Sequence, residues 1–305
     1  MSAPNFLIIG PPKCASTSLH FYFSQHPEVF VSAVKETHFF THDYEKGIAF
    51  YEEYFRDAAN AKAIGEATPS YCFLPFACDR IRLHYPNIKL ILCIRNPMER
   101  AFSHWLMLWA RGVEKASFRE AMEINNKQLS YVTFEGKEGA ALWNERAKNI
   151  DKGEKWPRIY LQPGMYASMI KKLQTQFGQN QLYYYFMDDL KTNFDATLKD
   201  LFDFLGVDNS FRIPEKREKN VYKNRKLYKL MSNVLGVQFT KKVGKIVSPS
   251  VKSIFKRDKQ IIKNAPELKL EDRQFLWNVY KHDIAALEQI TQRDLSHWNP
   301  FIANK

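Results

Sequence analysis

The stretch KLILCIRNP, Lys89–Pro97, decides the fold. Its first part is almost continuously apolar, the pattern of a strand buried on both faces of a parallel sheet. Asn96 is a good helix N-cap and proline is favoured at the first helical position, so a helix is predicted from Pro97 to about Arg111. Working outward, Asn5–Gly10 is a second apolar run that stops at Gly-Pro-Pro, and Ser16–Gln25 reads as the helix that follows it. Strands are also predicted at Ala61–Gly65 and Gln181–Phe186, and helices at Gly47–Phe55, Met165–Phe177, Ala196–Leu205 and Leu270–Gln289. The run Tyr183–Phe186 reads as strand rather than as a base-stacking platform. Strands alternating with helices define an α/β protein with a parallel sheet flanked by helices. Asn125–Trp156 is polar and is predicted to be a surface excursion with a functional part.

The composition, 45% hydrophobic and 26% charged over 305 residues, fits one globular domain spanning 1–305 and excludes collagen-like and disordered classes. The longest apolar runs, Phe6–Ile9 and Leu90–Ile94, fall far short of the ~20 residues a membrane-spanning helix needs. The first residues lack a basic region and a long apolar core, so no signal peptide is predicted and the location expected is cytoplasmic. Cys14, Cys72, Cys78 and Cys93 form no CxxC pair and are expected to be reduced, inert thiols, Cys72 and Cys78 included.

The formal net charge is +12, and residues 213–263, with 15 basic and 3 acidic side chains, carry an excess of that same size. Such a block suits nucleic acid, an anionic membrane surface or an anionic substrate, and charge alone does not choose among them. Within Arg225–Gly236 the apolar residues Leu227, Leu230, Met231, Val234 and Leu235 recur at helical spacing, giving a basic amphipathic helix. It reads either as a helix packed on the domain with its lysines in water, or as a lid or membrane-facing element.

In an open parallel sheet ligands bind beyond the carboxyl ends of the strands, so the loops after Ile9 and Ile94 are expected to be neighbours at one site. The first loop, GPPKCASTSL at Gly10–Leu19, offers backbone N–H groups at a helix start, the charge of Lys13 and the hydroxyls of Ser16, Thr17 and Ser18. It is not a Walker A loop, because no Gly-Lys-Ser/Thr closes it. The second loop carries Arg95, and Ser103 lies two helical turns on, so both can grip one additional phosphate. The competing reading pairs Arg95 with Glu99 alone.

Four ordered motifs resemble the sulfotransferases that use 3'-phosphoadenosine 5'-phosphosulfate (PAPS), specifically the heparan-sulfate-type branch and its bacterial relatives: GPPKCASTSL, VKETHFF at Val34–Phe40, GEATPSY at Gly65–Tyr71 and IRNPMERAFSHW at Ile94–Trp105. PGMYASMIKKLQTQF from Pro163, LYYYFMDDL and RDLSHW near the end extend the likeness over most of the chain. The resemblance implies a P-loop-like sulfotransferase fold and transfer of a sulfuryl group from PAPS, released as 3'-phosphoadenosine 5'-phosphate (PAP), without a metal. It implies that Lys13 with Cys14, Ala15, Ser16, Thr17 and Ser18 binds the 5'-phosphosulfate, and Arg95 with Ser103 the 3'-phosphate. Glu36 matches the position of the general base, with His38 and Lys35 flanking the acceptor and His38 also counted with the catalytic residues. Thr68 and Tyr71 are expected to line the acceptor site, although Thr-Pro-Ser-Tyr would also make a good turn. A basic segment closing over the nucleotide in that family makes Lys219, Asn220 and Arg225 further cofactor candidates.

The acceptor implied is a carbohydrate or glycolipid hydroxyl, with lipid, polyketide-type and phenolic hydroxyls as alternatives. A cytoplasmic bacterial enzyme is expected, with peripheral contact to anionic membrane through 213–263 as an option. Four positions depart from the family pattern: Ala15-Ser16 replace the usual Gly-Thr, Thr41 stands where an aspartate is common, and Ala67 where a lysine precedes Thr-Pro. Ala15 is expected to be harmless unless its φ is positive. Two rivals remain from the residues alone, a P-loop kinase using ATP with magnesium and a basic nucleic-acid-binding module, the latter without a recognisable motif.

Overall fold

The computed structural model describes residues 3–130, 132–149, 157–216 and 266–302. Lys219, Asn220, Arg225 and the amphipathic segment around them lie outside the described residues. Met1–Glu215 and Leu268–Lys305 belong to one compact unit, and all that follows concerns it.

Five parallel strands make the sheet: β1 (Phe6–Gly10), β2 (Val29–Val31), β3 (Ala63–Ala67), β4 (Lys89–Ile94) and β5 (Leu182–Phe186), in the order β2-β3-β1-β4-β5. Every residue of β1 and β3 is buried, as is all of β4 beyond Lys89. The period-two alternation of a strand splits them between two cores. Leu7, Ile9, Leu90, Leu92 and Ile94 face one apolar cluster, and Phe6, Ile8, Ile91 and Cys93 the other.

On the second face lie α1 (Ser16–Phe23), through Leu19 and Phe23, and α9 (Phe194–Leu205), through Leu198, Leu201 and Phe202. The first face is covered by α2 (Ile48–Glu52), α3 (Pro75–His84), α4 (Pro97–Ala110), α5 (Phe118–Gln128), α6 (Gly136–Asn149), α7 (Tyr166–Phe177) and α10 (Leu270–Thr291), through Tyr51, Phe76, Trp105, Phe118, Trp143, Ile170 and Tyr280 among others. A short α8 (Asp189–Thr192) follows β5. Asn96 caps α4 as expected, its side chain accepting from Met98 N and Glu99 N. No helix among the described residues is long and apolar enough to cross a membrane. All four cysteines are buried free thiols.

The predicted excursion at Asn125–Trp156 is corrected by the structure. It holds the end of α5 and all of α6, and Asn125 is fully buried. Its amide serves the backbone of the next segment, accepting from Tyr160 N at 2.7 Å and Leu161 N at 2.8 Å and donating to Arg158 O at 2.7 Å. A polar side chain can thus be core when it satisfies otherwise orphaned peptide groups.

β1 is central, with β3 on one side and β4 on the other, so the segments leaving these three strands emerge side by side at one edge of the sheet. The chain order reverses at β1, the place where such sheets open a crevice.

Candidate active site

β1 ends at Gly10, with φ at +110°, where a Cβ would stand 2.2 Å from Pro69 O. Only glycine fits, and its absence of a side chain seats the first loop directly on the turn after β3. Lys13 and Ala15 follow with φ of +74° and +56°. The expectation that Ala15 is harmless is therefore corrected: the backbone demands the left-handed region, at a cost of about 1–2 kcal/mol for an L-residue. Ala15 caps α1, and the first intrahelical bonds run from Ser18 N and Leu19 N to Ala15 O, at 2.9 and 3.0 Å. The N–H groups of Ser16 and Thr17 precede them, at the positive end of the helix dipole. Cys14 is fully buried, its Sγ 3.7 Å from the Tyr166 hydroxyl, so it meets a ligand through its backbone only.

Arg95, at the end of β4, reaches this loop. Its Nη1 donates to Lys13 O at 3.0 Å, and its backbone N–H donates to the Tyr166 hydroxyl at 3.3 Å. The Glu99 pairing also exists, Nη2 to Oε2 at 3.6 Å, while Glu99 Oε1 has a second cation in Arg273 at 3.7 Å. Arg95 Nε is buried without a hydrogen-bond partner among the described residues. The placement of Ser103 follows from helix periodicity. Glu99, Ser103 and Met107 lie four residues apart on one face of α4. Glu99 at one end contacts Arg95, and Met107 at the other contacts Lys13, its Sδ 3.8 Å from Nζ, so Ser103 stands between them facing the loop. A buried donor on an arginine, a lysine and a helix N-terminus together suit a nucleotide bearing two separated anionic groups.

The segment between β2 and α2 carries the carboxylate. Glu36 and His38 both adopt left-handed backbone conformations, φ +61° and +55°, around Thr37. Two such residues in succession are strained, and they persist because β3 and the turn after it hold them. Glu36 N donates to Ala67 O at 3.1 Å, His38 N to Thr68 Oγ1 at 3.4 Å, and Phe40 N to the Tyr71 hydroxyl at 3.3 Å. The strained backbone turns the Glu36 carboxylate outward, 31% exposed, between Lys35 Nζ on Oε1 and His38 Nε2 at 3.7 Å from Oε2. Burial holds the His38 imidazole below its ordinary range, opposed by the Glu36 charge, and pushes the neighbouring His42 down to about 4. The Glu36 carboxylate thus has a cation on one side and a neutral imidazole on the other.

Thr68 and Tyr71 have no exposed surface, so they form the floor of this segment and offer no face to an acceptor. The residue-level reading missed Tyr166, whose hydroxyl touches both loops, and Glu66, buried under Thr68. The PGMY motif marked Tyr166 in the sequence, but nothing there revealed its reach across the sheet.

Known proteins share this architecture. A family model described as sulfotransferase domain matches residues 3–286. Human carbohydrate sulfotransferase 15 is 25% identical over 251 residues, covering 67% of this chain and 44% of that protein. The human bifunctional heparan sulfate N-deacetylase/N-sulfotransferase 2 is 26% identical over 212 residues, covering 67% of this chain and 22% of that one. The chain therefore spans less than half the length of these curated relatives. A solved sulfotransferase from Alicyclobacillus acidocaldarius shares the fold, with a TM-score of 0.65, 24% identity and coverage of 98% of this chain and 99% of that one. None of these matches favours the kinase or nucleic-acid reading. The chain belongs to the sulfotransferase domain family, whose enzymes transfer sulfuryl groups.

Proposed function

We propose that this chain transfers the sulfuryl group of PAPS to a hydroxyl of a carbohydrate or glycolipid acceptor. The observation that carries the reading is the bond from Arg95 to the Lys13 carbonyl, which sets a second anion-binding group beside the helix N-terminus. Nucleotides with a phosphate on the ribose as well as on the 5' side need that pair of sites. PAPS supplies an activated sulfur on a good leaving group. The residues here do the rest. Arg95 and Ser103 bind the 3'-phosphate, and the loop from Lys13 to Ser18 holds the 5' side. Glu36 takes the proton of the acceptor hydroxyl as the new O–S bond forms, and Lys13 offsets charge on the departing phosphate oxygen as the old S–O bond breaks. Positioning and charge carry most of such a loose displacement, in line with phosphoryl transfer. The carbohydrate class is supported by the names of the relatives, heparan sulfate and carbohydrate sulfotransferases among them.

The test is transfer of radiolabelled sulfate from PAPS to chemically desulfated polysaccharides, glycolipids and simple phenols. Labelled carbohydrate or glycolipid is expected. In Glu36→Gln the rate should fall by about 10²–10⁴ while PAP still binds. Label on phenol alone would refute the acceptor class, and a Glu36→Gln enzyme with undiminished rate would refute the base.

A further inference from the structure

Glu66 sits on β3 with no exposed surface, directly below the strained Lys35–Phe40 segment. Its Oε2 accepts from Thr68 Oγ1 at 2.7 Å, and the same Thr68 oxygen accepts from His38 N. Its Oε1 and the nearby Tyr51 hydroxyl are buried with no hydrogen-bond partner among the described residues. A carboxylate with one oxygen buried from water and without a hydrogen-bond partner among the described residues is costly, whereas a neutral carboxylic acid tolerates that setting.

We propose that Glu66 is a positioning residue for sulfuryl transfer, a neutral buried acid that fixes the Thr68 hydroxyl beneath the His38 backbone and so holds Glu36 and His38 in their strained, outward-facing conformations. The proposal rests on the reading of Glu36 as the base.

The groups around Glu66 bear this out from each side. Tyr51 of α2 and Tyr71 of the turn after β3 are hydroxyls whose own ionisation burial suppresses, and Tyr85, after α3, stands against Tyr51. Thr37 joins Tyr71 from above at 3.4 Å. The cation that reaches Glu66 is Lys35, which is already engaged by Glu36. Burial pushes the Glu66 carboxyl up to about 7, with Thr68, Thr37, Tyr71 and Lys35 only partly opposing it. Ionised Glu66 therefore competes with Glu36 for Lys35. The acid form leaves Lys35 to Glu36, and as pH rises through about 7 the draw of ionised Glu66 on Lys35 weakens the Lys35–Glu36 pair and with it the setting of Glu36 and His38.

The experiment uses the full chain, without and with PAP. The amide resonance of His38, observed in ¹⁵N-labelled protein, is expected to move with a midpoint near pH 7 in the wild type. It should be flat across that range in Glu66→Gln, which retains the shape of the neutral acid. The His38 ring, which burial holds below its ordinary range, is followed through its own ring resonances. In PAPS turnover with water or desulfated heparan sulfate as acceptor, wild-type kcat should fall roughly tenfold or more between about pH 6 and 8.5, and Glu66→Gln should lose that fall. Thr68→Val, which breaks the link without touching Glu66, should lower kcat about ten- to a hundredfold with little change in the KM for PAPS. A His38 amide that titrates identically in Glu66→Gln overturns the proposal, as does wild-type kcat in Thr68→Val. Failure of the base reading looks different: Glu36→Gln then turns over normally while the His38 titration still depends on Glu66.

Discussion

Replacing Arg95 with alanine should discriminate between nucleotides with and without a 3'-phosphate. The guanidinium has two separable tasks in the structure. Nη1 holds the Lys13 carbonyl at 3.0 Å, which shapes the loop for any 5'-anion, and Nε, buried without a partner among the described residues, leaves the guanidinium a donor for a further acceptor. Loss of the first task weakens every nucleotide; loss of the second weakens only those carrying the 3'-phosphate. A charged hydrogen bond contributes about 1.5–3 kcal/mol, so the second task alone corresponds to roughly 10- to 150-fold in affinity. Titration calorimetry with PAP and with adenosine 5'-phosphate, on the wild type and on Arg95→Ala, closes a double cycle in which the loop effect cancels. PAP should lose that factor beyond whatever adenosine 5'-phosphate loses. Equal losses for the two nucleotides would refute the assignment and return Arg95 to a scaffold role with Glu99.

Two further outcomes concern stability. Ala15→Gly relieves a left-handed alanine at +56° and should stabilise the chain by about 0.5–1 kcal/mol after the entropy of the extra glycine, raising Tm by roughly 2 °C in calorimetry; a lowered Tm would show the residue unstrained. Between the ordinary glutamate value of 4.5 and about 7, folded Glu66 keeps a proton that the unfolded chain releases, so its presence lowers stability as pH rises through that window, by about 3 kcal/mol in all. Glu66→Gln should therefore gain on the wild type by about that amount from pH 4.5 to 8 in urea unfolding, and a difference independent of pH would contradict the burial argument.

The legible parts of this chain are those that local chemistry fixes. Lys89–Ile94 followed by Asn96-Pro97 carries its own strand and helix signals, and the structure follows them nearly residue for residue. The neighbourhood of the loops after β1 and β4 follows from a general rule of parallel sheets, and the Arg95–Lys13 bond shows it. Most of what escaped depends on distant partners, α5 excepted. α5 carries a capping box at Ser117–Glu120, a local signal overlooked because the polar residues after it suggested a loop. The left-handed Glu36 and His38 leave no trace in composition, since Ala67, Thr68 and Tyr71, some thirty residues on, help to hold that segment. The GEATPSY motif suggests an acceptor-lining place for Thr68 and Tyr71; both are buried, Thr68 Oγ1 donating to Glu66 and accepting from His38 N, and the Tyr71 hydroxyl accepting from Phe40 N.

The seat of Gly10 against Pro69 bears on how such an enzyme changes its clientele. With main chain packed on main chain there, the loop after β1 and the turn after β3 that holds Glu36 and His38 share one wall that no side-chain substitution can lengthen. On the proposed reading, the span the sulfuryl group crosses is thereby set by the sheet itself. On that reading, new acceptors are admitted by changes farther from the sheet, while the distance between the two loops stays fixed.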